Sequence, residues 1–263
     1  MKHHEKLNIV ERISKDLCKI KPFSLRPDIC TSICLATAES ICWGKTGVTL
    51  IEFGVNNGGG LSFIVKVCDY LKEKIDIKYN IYGFDTFEGL PKLEGFEDHN
   101  EIWSEGQYKC NSSYKDMVKH FKGKSILIKG DVKDTISEVL NKLDMEYPIG
   151  FISLDLDLYS SSKSALKILN DPNSNKYYPT VLMVVDDQDF LLTYNDWCGE
   201  GLAIKEFNDL NKLRKIQNRK EFYQRLRFIH ILDHSLRIGK EKPKYPFEIK
   251  LKRFIDFNER AMI

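Results

Sequence analysis

Short apolar runs alternate with amphipathic segments along most of the chain. The apolar runs predict strands at 48–53, 79–85, 125–131, 149–157 and 177–188. The segments between them repeat their apolar residues with a helical period, and they predict helices at 61–74, 113–123, 134–144, 160–171 and 200–217. Strands and helices that alternate in this way build a doubly wound, mostly parallel sheet, so we predict a Rossmann-like α/β fold.

The two ends of the chain depart from this alternation. Residues 1–45 show a helical pattern that two prolines interrupt, so we treat them as an N-terminal helical segment. Residues 46–263 then form the main domain. Within it, the segments 225–240 and 244–257 are rich in β-formers and lack a helical period. We predict that they add an antiparallel edge to the sheet at its C-terminal end.

Charge and hydropathy exclude several classes of protein. The 263 residues include 40 basic and 38 acidic side chains, whereas nucleic-acid binders usually carry a strong basic excess. No apolar run is long enough to span a membrane, and the charged first 16 residues do not resemble a signal peptide. We therefore expect a cytoplasmic protein with a small-molecule partner and no nucleic acid, and we leave a homodimer open.

The seven cysteines are odd in number and scattered through apolar segments. This distribution is typical of free thiols in a reducing compartment rather than of a disulfide framework. Cys30 and Cys34 lie four residues apart on a predicted helix and could contact one metal ion. No second Cys/His pair completes a zinc site in the sequence, so buried core thiols are the better interpretation.

An acidic residue closes nearly every predicted strand. These residues are Glu52, Asp85, Asp131, Asp155, Asp157, Asp186 and Asp187. The carboxyl ends of parallel strands meet at one edge of a sheet, where open α/β folds bind their ligands. We therefore expect one acidic cleft at this edge rather than acids scattered among unrelated turns.

The loop "EFGVNNGGG" follows the first predicted strand and begins at Glu52. It matches neither a dinucleotide fingerprint nor a phosphate-binding P-loop, and it can also be a plain flexible turn. An acid at its start favours a ligand with an ammonium group and hydroxyls, such as S-adenosylmethionine. Asp85 could accept hydrogen bonds from ribose hydroxyls and Asp131 could meet an adenine edge, although both also suit turns or helix caps.

The segment "FISLDLDLYSS" places two acids at the end of an apolar strand. Alternate residues of a strand share a face, so Asp155 and Asp157 are expected to point the same way. Together with Asp186 and Asp187 they could supply the hard oxygen ligands that Mg²⁺ prefers, and the cation would offset their repulsion. The alternative is a hydrogen-bonded acidic surface cluster.

A long stretch without regular structure is predicted at 86–111. Loops of this length are often lids over a site, and Trp103, Gly106 and Tyr108 lie in this one. The two aromatic side chains could close over adenine or substrate, or they could pack the loop against the core. His230 and His234, in the C-terminal part, are interpreted as structural.

Three motifs in this order resemble those of a known family. They are "GFDTFEGLP" at 83–91, "FISLDLDLYSSSKSAL" at 151–166, and "VVDDQ" at 184–188 followed by "GLAIKEF" at 201–207. They resemble the TylF family of macrocin, mycinamicin and novobiocin O-methyltransferases. Members of that family are class I, S-adenosylmethionine-dependent and Mg²⁺-dependent, and they often methylate sugar hydroxyls. The likeness covers roughly residues 50–207.

The resemblance implies roles for the acids at the strand ends. Asp155, Asp186 and Asp187 would bind Mg²⁺, and Asp157 would be the general base. The residues expected at the cofactor are Glu52, Gly54, Asn57, Gly58, Asp85, Thr86, Asp131, Val132 and Asp155. Trp103 and Gly106 resemble the family's lid, and residues 46–263 would be the methyltransferase domain.

Two departures from the family pattern flank the expected acceptor pocket. Gln188 follows the paired aspartates where the family usually has an aromatic residue, and the insertion "NDPNSNKYYPT" at 170–180 precedes the metal strand. The expected reaction is methyl transfer from S-adenosylmethionine to a sugar hydroxyl. Two alternatives stay open, namely a metal-dependent methyltransferase of a catechol or other phenol, and a non-catalytic protein that binds the cofactor.

Overall fold

A computed structural model describes residues 1–187, 192–219, 222–233 and 249–255. The strands are β1 (Gly47–Phe53), β2 (Lys78–Asp85), β3 (Ile126–Lys129), β4 (Ile149–Leu154), β5 (Tyr177–Val185), β6 (Arg214–Asn218) and β7 (Leu226–Ile231). The α-helices are α1 (His3–Leu17), α2 (Pro27–Cys42), α3 (Gly59–Lys72), α4 (Tyr114–Phe121), α5 (Val132–Lys142), α6 (Tyr159–Ala165) and α7 (Gly199–Leu210). Each predicted strand is present, and an α-helix follows each of β1 to β5.

The strands form one sheet with the order β3-β2-β1-β4-β5-β7-β6. The first five strands pair in parallel, while β7 runs antiparallel to both β5 and β6. The chain therefore has the predicted Rossmann-like sheet and the predicted antiparallel edge. The order reverses between β1 and β4, which makes the carboxyl ends of these two strands the usual ligand position of such sheets.

Helices cover both faces of the sheet. One core packs α1, α2, α3 and α4 against the sheet, and a second core packs α5, α6 and α7 against the other face. Every residue of β1 is buried as a result. This explains why the central strands read as continuous apolar runs without the alternation of a half-exposed sheet.

The N-terminal helices belong to the first core. Helix α2 is buried on nearly all sides, because it lies between α1 and the sheet. Cys30 and Cys34 are completely buried within it, which confirms their interpretation as core thiols. The Ser14 hydroxyl donates a hydrogen bond of 2.8 Å to the carbonyl of Phe254, so α1 also contacts the C-terminal part of the chain.

Several predicted element boundaries are wrong, and the predicted strand 177–188 ends at Val185. The predicted helix 200–217 ends at Leu210, and residues 214–218 form strand β6. Arg214 and Ile216 alternate inward there, and the Arg214 guanidinium pairs with Asp233 at 2.9 Å. The predicted strand 149–157 ends at Leu154, so its last acids lie in a loop.

The C-terminal prediction is confirmed in part. Strand β7 falls within the predicted β segment 225–240, but Leu251–Arg253 is a 3₁₀ helix rather than a strand. His234 and Gln188 lie outside the described residues. Across the ranges that the structure describes, no helix has the length and apolar character needed to cross a bilayer.

Candidate active site

One cavity of about 780 Å³ opens at the carboxyl ends of the parallel strands. The loops that follow β1, β2, β3, β4 and β5 all contribute to its wall. The predicted site residues that line it are Gly54, Asp85, Thr86, Asp131, Val132, Asp155, Asp157, Asp186 and Asp187. The chain thus brings together nine positions that are separated by up to 133 residues in sequence (187 − 54).

The glycine loop after β1 passes close to the end of β4. Gly54 has a left-handed φ of 88°, and a Cβ added there would lie 1.8 Å from the carbonyl oxygen of Asp155. Only glycine combines this backbone angle with this contact. The loop therefore brings bare backbone to the cavity wall beside the acid at the end of β4.

Three predicted cofactor residues of this segment, Glu52, Asn57 and Gly58, do not line the cavity. Glu52 is buried beneath it, and a Cβ on Gly60 would lie 2.1 Å from the Glu52 carboxyl. Gly58 forms the N-cap of α3 with a φ of 79°. The Asn57 side chain accepts a hydrogen bond of 2.8 Å from the amide of Asn111, which ties the loop to the end of the long segment after β2.

On the β2–β3 side of the cavity, the acids hold backbone amides. The Asp85 carboxylate accepts hydrogen bonds from the amides of Asn56 at 2.6 Å and Phe87 at 2.5 Å. Asp131 caps α5 by accepting from the amide of Lys133 at 3.0 Å. Both acids therefore serve as turn or cap residues and line the cavity at the same time.

On the β4–β5 side, four acids gather around the cavity. Loss of hydration in the cleft, followed by the charges on Asp186 and Asp187, raises the pKa of Asp155 to about 7. Burial first, then Asp187 and Asp155, raises the pKa of Asp157 to about 8. The pKa of Asp187 is raised to about 6, mainly by burial. Each carboxylate makes ionisation of its neighbours less favourable.

Asp157 does not share a strand face with Asp155, contrary to the prediction. It has a left-handed φ of 60°, and the Leu158 amide donates a 2.5 Å hydrogen bond to the Leu156 carbonyl across it. A three-residue turn with this φ is a strained γ-turn. The chain thus turns sharply after β4, and this turn directs Asp157 into the cavity.

Asp186 is paired with two guanidinium groups. Its Oδ1 lies 3.2 Å from Arg26, just before α2, and 2.9 Å from Arg225, just before β7. These partners are 160 and 39 residues away in the sequence. An aspartate already neutralised by two cations is a poor match for its predicted role as a metal ligand.

The other acids suit a divalent cation by their chemistry. The described residues contain no compact group of three His, Cys, Asp or Glu side chains that could hold a metal ion. However, Asp187 is 4% exposed and its Oδ2 has no hydrogen-bond partner among those residues. An unpaired buried carboxylate oxygen beside Asp155 and Asp157 calls for a cation or a proton.

Strained backbone marks the same edge of the sheet. In the described part of the chain, the non-glycine residues with a left-handed φ are Asn56, Phe87, His99, Tyr108 and Asp157. All five lie in loops after β1, β2 or β4, and three of them line the cavity. Such conformations each cost about 1–3 kcal/mol and cluster at functional sites.

The long segment after β2 covers one side of the cavity. Leu90 and Gly106 lie opposite each other, because Gly106 donates to Leu90 and Leu90 donates to Gln107, both at 2.8 Å. Trp103 and Tyr108 line the cavity with their ring centroids 5.8 Å apart. Their placement favours contact with a ligand over simple packing of the loop.

Two buried acids of this region were missed by sequence reasoning. Asp98 is 1% exposed and accepts hydrogen bonds from the amide and hydroxyl of Ser160, at 2.7 and 2.8 Å, which anchors the long segment to α6. Glu200 is completely buried in the first turn of α7. Its only sequence signal is the pair of glycines that flank it in "CGEGL".

No family model matches the sequence, and no curated protein matches it. Solved structures do resemble the chain. The calicheamicin methyltransferase CalS11 is 18% identical over 86% of this chain and 91% of its own, with a TM-score of 0.52. The O-methyltransferase NovP is 16% identical over 74% of this chain and 76% of its own, with a TM-score of 0.53.

The chain has the fold of these methyltransferases. The resemblance seen in the three motifs is therefore confirmed at the level of the fold. Identity this low leaves the activity to be argued from the site, because one fold carries many chemistries.

Proposed function

We propose that the protein is an O-methyltransferase that moves a methyl group from S-adenosylmethionine to a hydroxyl of a sugar. The observation that carries this proposal is the cluster of acids beside the glycine loop, at the position where the strand order reverses. Asp155, Asp157 and Asp187 meet there in one cavity with raised pKa values. Perturbed acids in a cleft are typical of catalytic groups.

The β2–β3 side would hold the nucleoside part of the cofactor. Asp85, Thr86, Asp131 and Val132 line this side and offer carboxylate, hydroxyl and backbone groups. The methionine part would lie toward Gly54 and Asp155, where bare backbone meets an acid. Glu52, Asn57 and Gly58 would act indirectly, by fixing the conformation of the glycine loop.

Asp157 would act as the general base for the acceptor. The acceptor oxygen would attack the methyl carbon of the cofactor, and the bond from that carbon to sulfur would break to release S-adenosylhomocysteine. The proton of the acceptor hydroxyl would pass to the Asp157 carboxylate. Asp157 must be ionised to do this, and its pKa of about 8 favours the protonated form at neutral pH. A nearby cation or a moderately alkaline pH would supply the ionised base.

Asp155 and Asp187 would hold a divalent cation, and Mg²⁺ is the one that oxygen-only ligation favours. Such an ion would lower the pKa of an acceptor hydroxyl and fix its position. Asp186 would contribute through Arg26 and Arg225, as a neutralised neighbour rather than as a ligand. Two carboxylates would then contact the ion, which leaves positions for the acceptor.

The cavity wall suits a ring that carries hydroxyls. The acids lie on one side, and the side chains of Leu90, Trp103, Tyr108 and Leu192 are apolar or aromatic. A sugar presents hydroxyls at its edge and C–H groups on its face, so it can meet both surfaces. A catechol would satisfy the same wall and remains the second candidate, since its vicinal hydroxyls also chelate a cation.

Calorimetry and methyl transfer test the proposal together. We expect the metal-free protein to bind S-adenosylhomocysteine, and labelled S-adenosylmethionine to transfer its methyl group to members of a nucleotide-sugar panel in the presence of Mg²⁺. Transfer only to catechols would move the protein to the second candidate. Cofactor binding without transfer to any acceptor would favour a non-catalytic protein, and absence of cofactor binding would refute the proposal.

A further inference from the structure

The first turn of α7 packs directly under the strained turn that presents Asp157. Gly199 has a left-handed φ of 57°, and a Cβ there would lie 2.6 Å from the carbonyl oxygen of Thr193 and 3.4 Å from that of Asp157. The next residue is Glu200, which is 0% exposed. Gly199 therefore allows the helix to lie close to the γ-turn, and the carboxyl group of Glu200 lies directly behind that turn.

Glu200 contacts the backbone that follows both β4 and β5. Its Oε1 accepts a hydrogen bond of 3.1 Å from the amide of Leu156, the first residue of the γ-turn. Its Oε2 accepts a longer one, at 3.4 Å, from the amide of Asp187. A single carboxyl group thus bridges the two chain segments that carry the acids of the cavity.

The γ-turn needs such external support. A left-handed conformation at a non-glycine residue persists only where the surroundings hold it, since it costs about 1–3 kcal/mol. The part-buried amide of Leu156 also needs an acceptor. Glu200 supplies that acceptor, and its side chain does not line the cavity.

We infer that Glu200 is a positioning residue for the proposed methyl transfer: it holds Leu156 and Asp187 so that Asp157 and Asp187 face the same point. The inference rests on the proposed function for its catalytic meaning, but the positioning itself can be measured without an acceptor. Glu200 would act on the reaction through Asp157 and would not contact the substrate.

The test compares Glu200→Ala and Glu200→Gln with Asp209→Asn, which removes an exposed acid from the same helix. Amide hydrogen exchange is measured at Leu156 and Leu158, together with binding of S-adenosylhomocysteine, melting temperature and the kinetics of methyl transfer. Glutamine keeps one oxygen for Leu156 but presents an NH₂ group in place of the second oxygen, so it separates the two arms of the bridge.

In Glu200→Ala we expect exchange at Leu156 to accelerate at least about tenfold, which is a local loss of about 1.4 kcal/mol. We expect kcat to fall about 10²-fold, the usual cost of a reacting group displaced by about 1 Å. Cofactor affinity should stay within about twofold. In Glu200→Gln the amide of Leu156 should exchange as slowly as in the parent, and kcat should lie between those of Glu200→Ala and the parent. Asp209→Asn should match the parent in both amide exchange and kcat.

Unchanged exchange and kcat in Glu200→Ala would overturn the inference. So would a kcat that tracks melting temperature across the variants rather than exchange at Leu156. If Glu200→Ala does not fold, Glu200→Gln decides, and parent-like kinetics in that variant would reject the arm to Asp187. If the parent transfers no methyl group, the proposed function fails, while faster exchange at Leu156 would still support the positioning role.

Discussion

The two sides of the cavity both carry aspartates, but the aspartates on one side are held by hydrogen bonds and those on the other side repel one another. On the β2–β3 side, Asp85 and Asp131 accept hydrogen bonds from backbone amides and thereby fix the loops that carry them. On the β4–β5 side, Asp155, Asp157 and Asp187 repel one another and have raised pKa values. The first pair shapes the site before any ligand arrives, whereas the second group is relieved only by a proton, a cation or a substrate.

The largest effect is expected from Asp157, the proposed base on the β4–β5 side. Asp157→Asn should lower kcat by about 10²–10⁴-fold, because the amide cannot accept the acceptor's proton. Affinity for S-adenosylhomocysteine should stay close to that of the parent, since no backbone amide of the described residues donates a hydrogen bond to the Asp157 carboxylate. Steady-state kinetics and calorimetry measure the two effects. Normal turnover at saturating Mg²⁺ and acceptor would mean that another group removes the proton.

A change on the β2–β3 side should give the opposite pattern. Asp85→Ala leaves the amides of Asn56 and Phe87 without their acceptor and removes the proposed cofactor contact, so affinity for S-adenosylhomocysteine should fall about 10²-fold. Asp85→Asn keeps one acceptor oxygen, so its affinity for S-adenosylhomocysteine should lie between those of Asp85→Ala and the parent. Calorimetry provides the values. If Asp85→Ala bound as tightly as the parent, Asp85 would hold the loop without contacting the cofactor.

Metal dependence should separate the neighbouring aspartates. Activity should disappear with a chelator and return with Mg²⁺. Asp187→Asn should raise the Mg²⁺ concentration for half activity on the order of tenfold, about 1.4 kcal/mol of lost ligation. Asp186→Asn should raise it less, because Arg26 and Arg225 already occupy that carboxylate. Equal effects of the two variants would place Asp186 among the ligands, and full activity in excess chelator would remove the ion from the mechanism.

The smallest effect concerns stability. The folded protein should hold more protons than the unfolded chain between pH about 4 and about 8, because the pKa values of Asp155, Asp157 and Asp187 are raised from 3.8 to about 7, 8 and 6. Stability from these groups is therefore complete at acid pH and is lost as pH rises through that window. Asp157→Asn should reduce this loss and melt a few degrees higher than the parent near pH 8, at about 2–4 °C per kcal/mol.

Thermal melts of the metal-free parent and Asp157→Asn, from pH about 5 to about 8, provide the comparison. The difference between the two proteins isolates Asp157 from other titrating groups, and Asp209→Asn controls for the loss of a surface charge. A parent that becomes more stable than Asp157→Asn as pH rises would contradict the raised pKa of Asp157.

The sequence of strands and helices along the chain could be predicted because it depends on the local pattern of apolar residues. Buried parallel strands give apolar runs that are visible without any knowledge of their partners. The gathering of acids at one edge followed from the same rule, since strand ends of a parallel sheet share an edge. Strand β6 is not predicted from the sequence, because the short alternation from Arg214 to Asn218 follows a helix and resembles a continuation of that helix.

Other features depend on contacts between distant residues. Nothing near Asp186 in the sequence indicates Arg26 or Arg225, which reach it from before α2 and from before β7. The γ-turn at Asp157 is also invisible locally, because "LDLDLY" has the alternation of a strand and the turn is supported from α7. Sequence reasoning found nine of the residues that line the cavity and missed the groups that hold them from behind.

The acid cluster also bears on how this chain evolves. Replacing any one of Asp155, Asp157 or Asp187 by a neutral residue is expected to stabilise the fold at neutral pH, so drift in a protein with no use for the cavity would tend to remove them. Together these three acids are expected to lower the free energy of unfolding at neutral pH, and the fold does not need them to form. A lineage that lost the proposed activity should therefore lose charge on the β4–β5 side first, and keep Asp85 and Asp131 long afterwards.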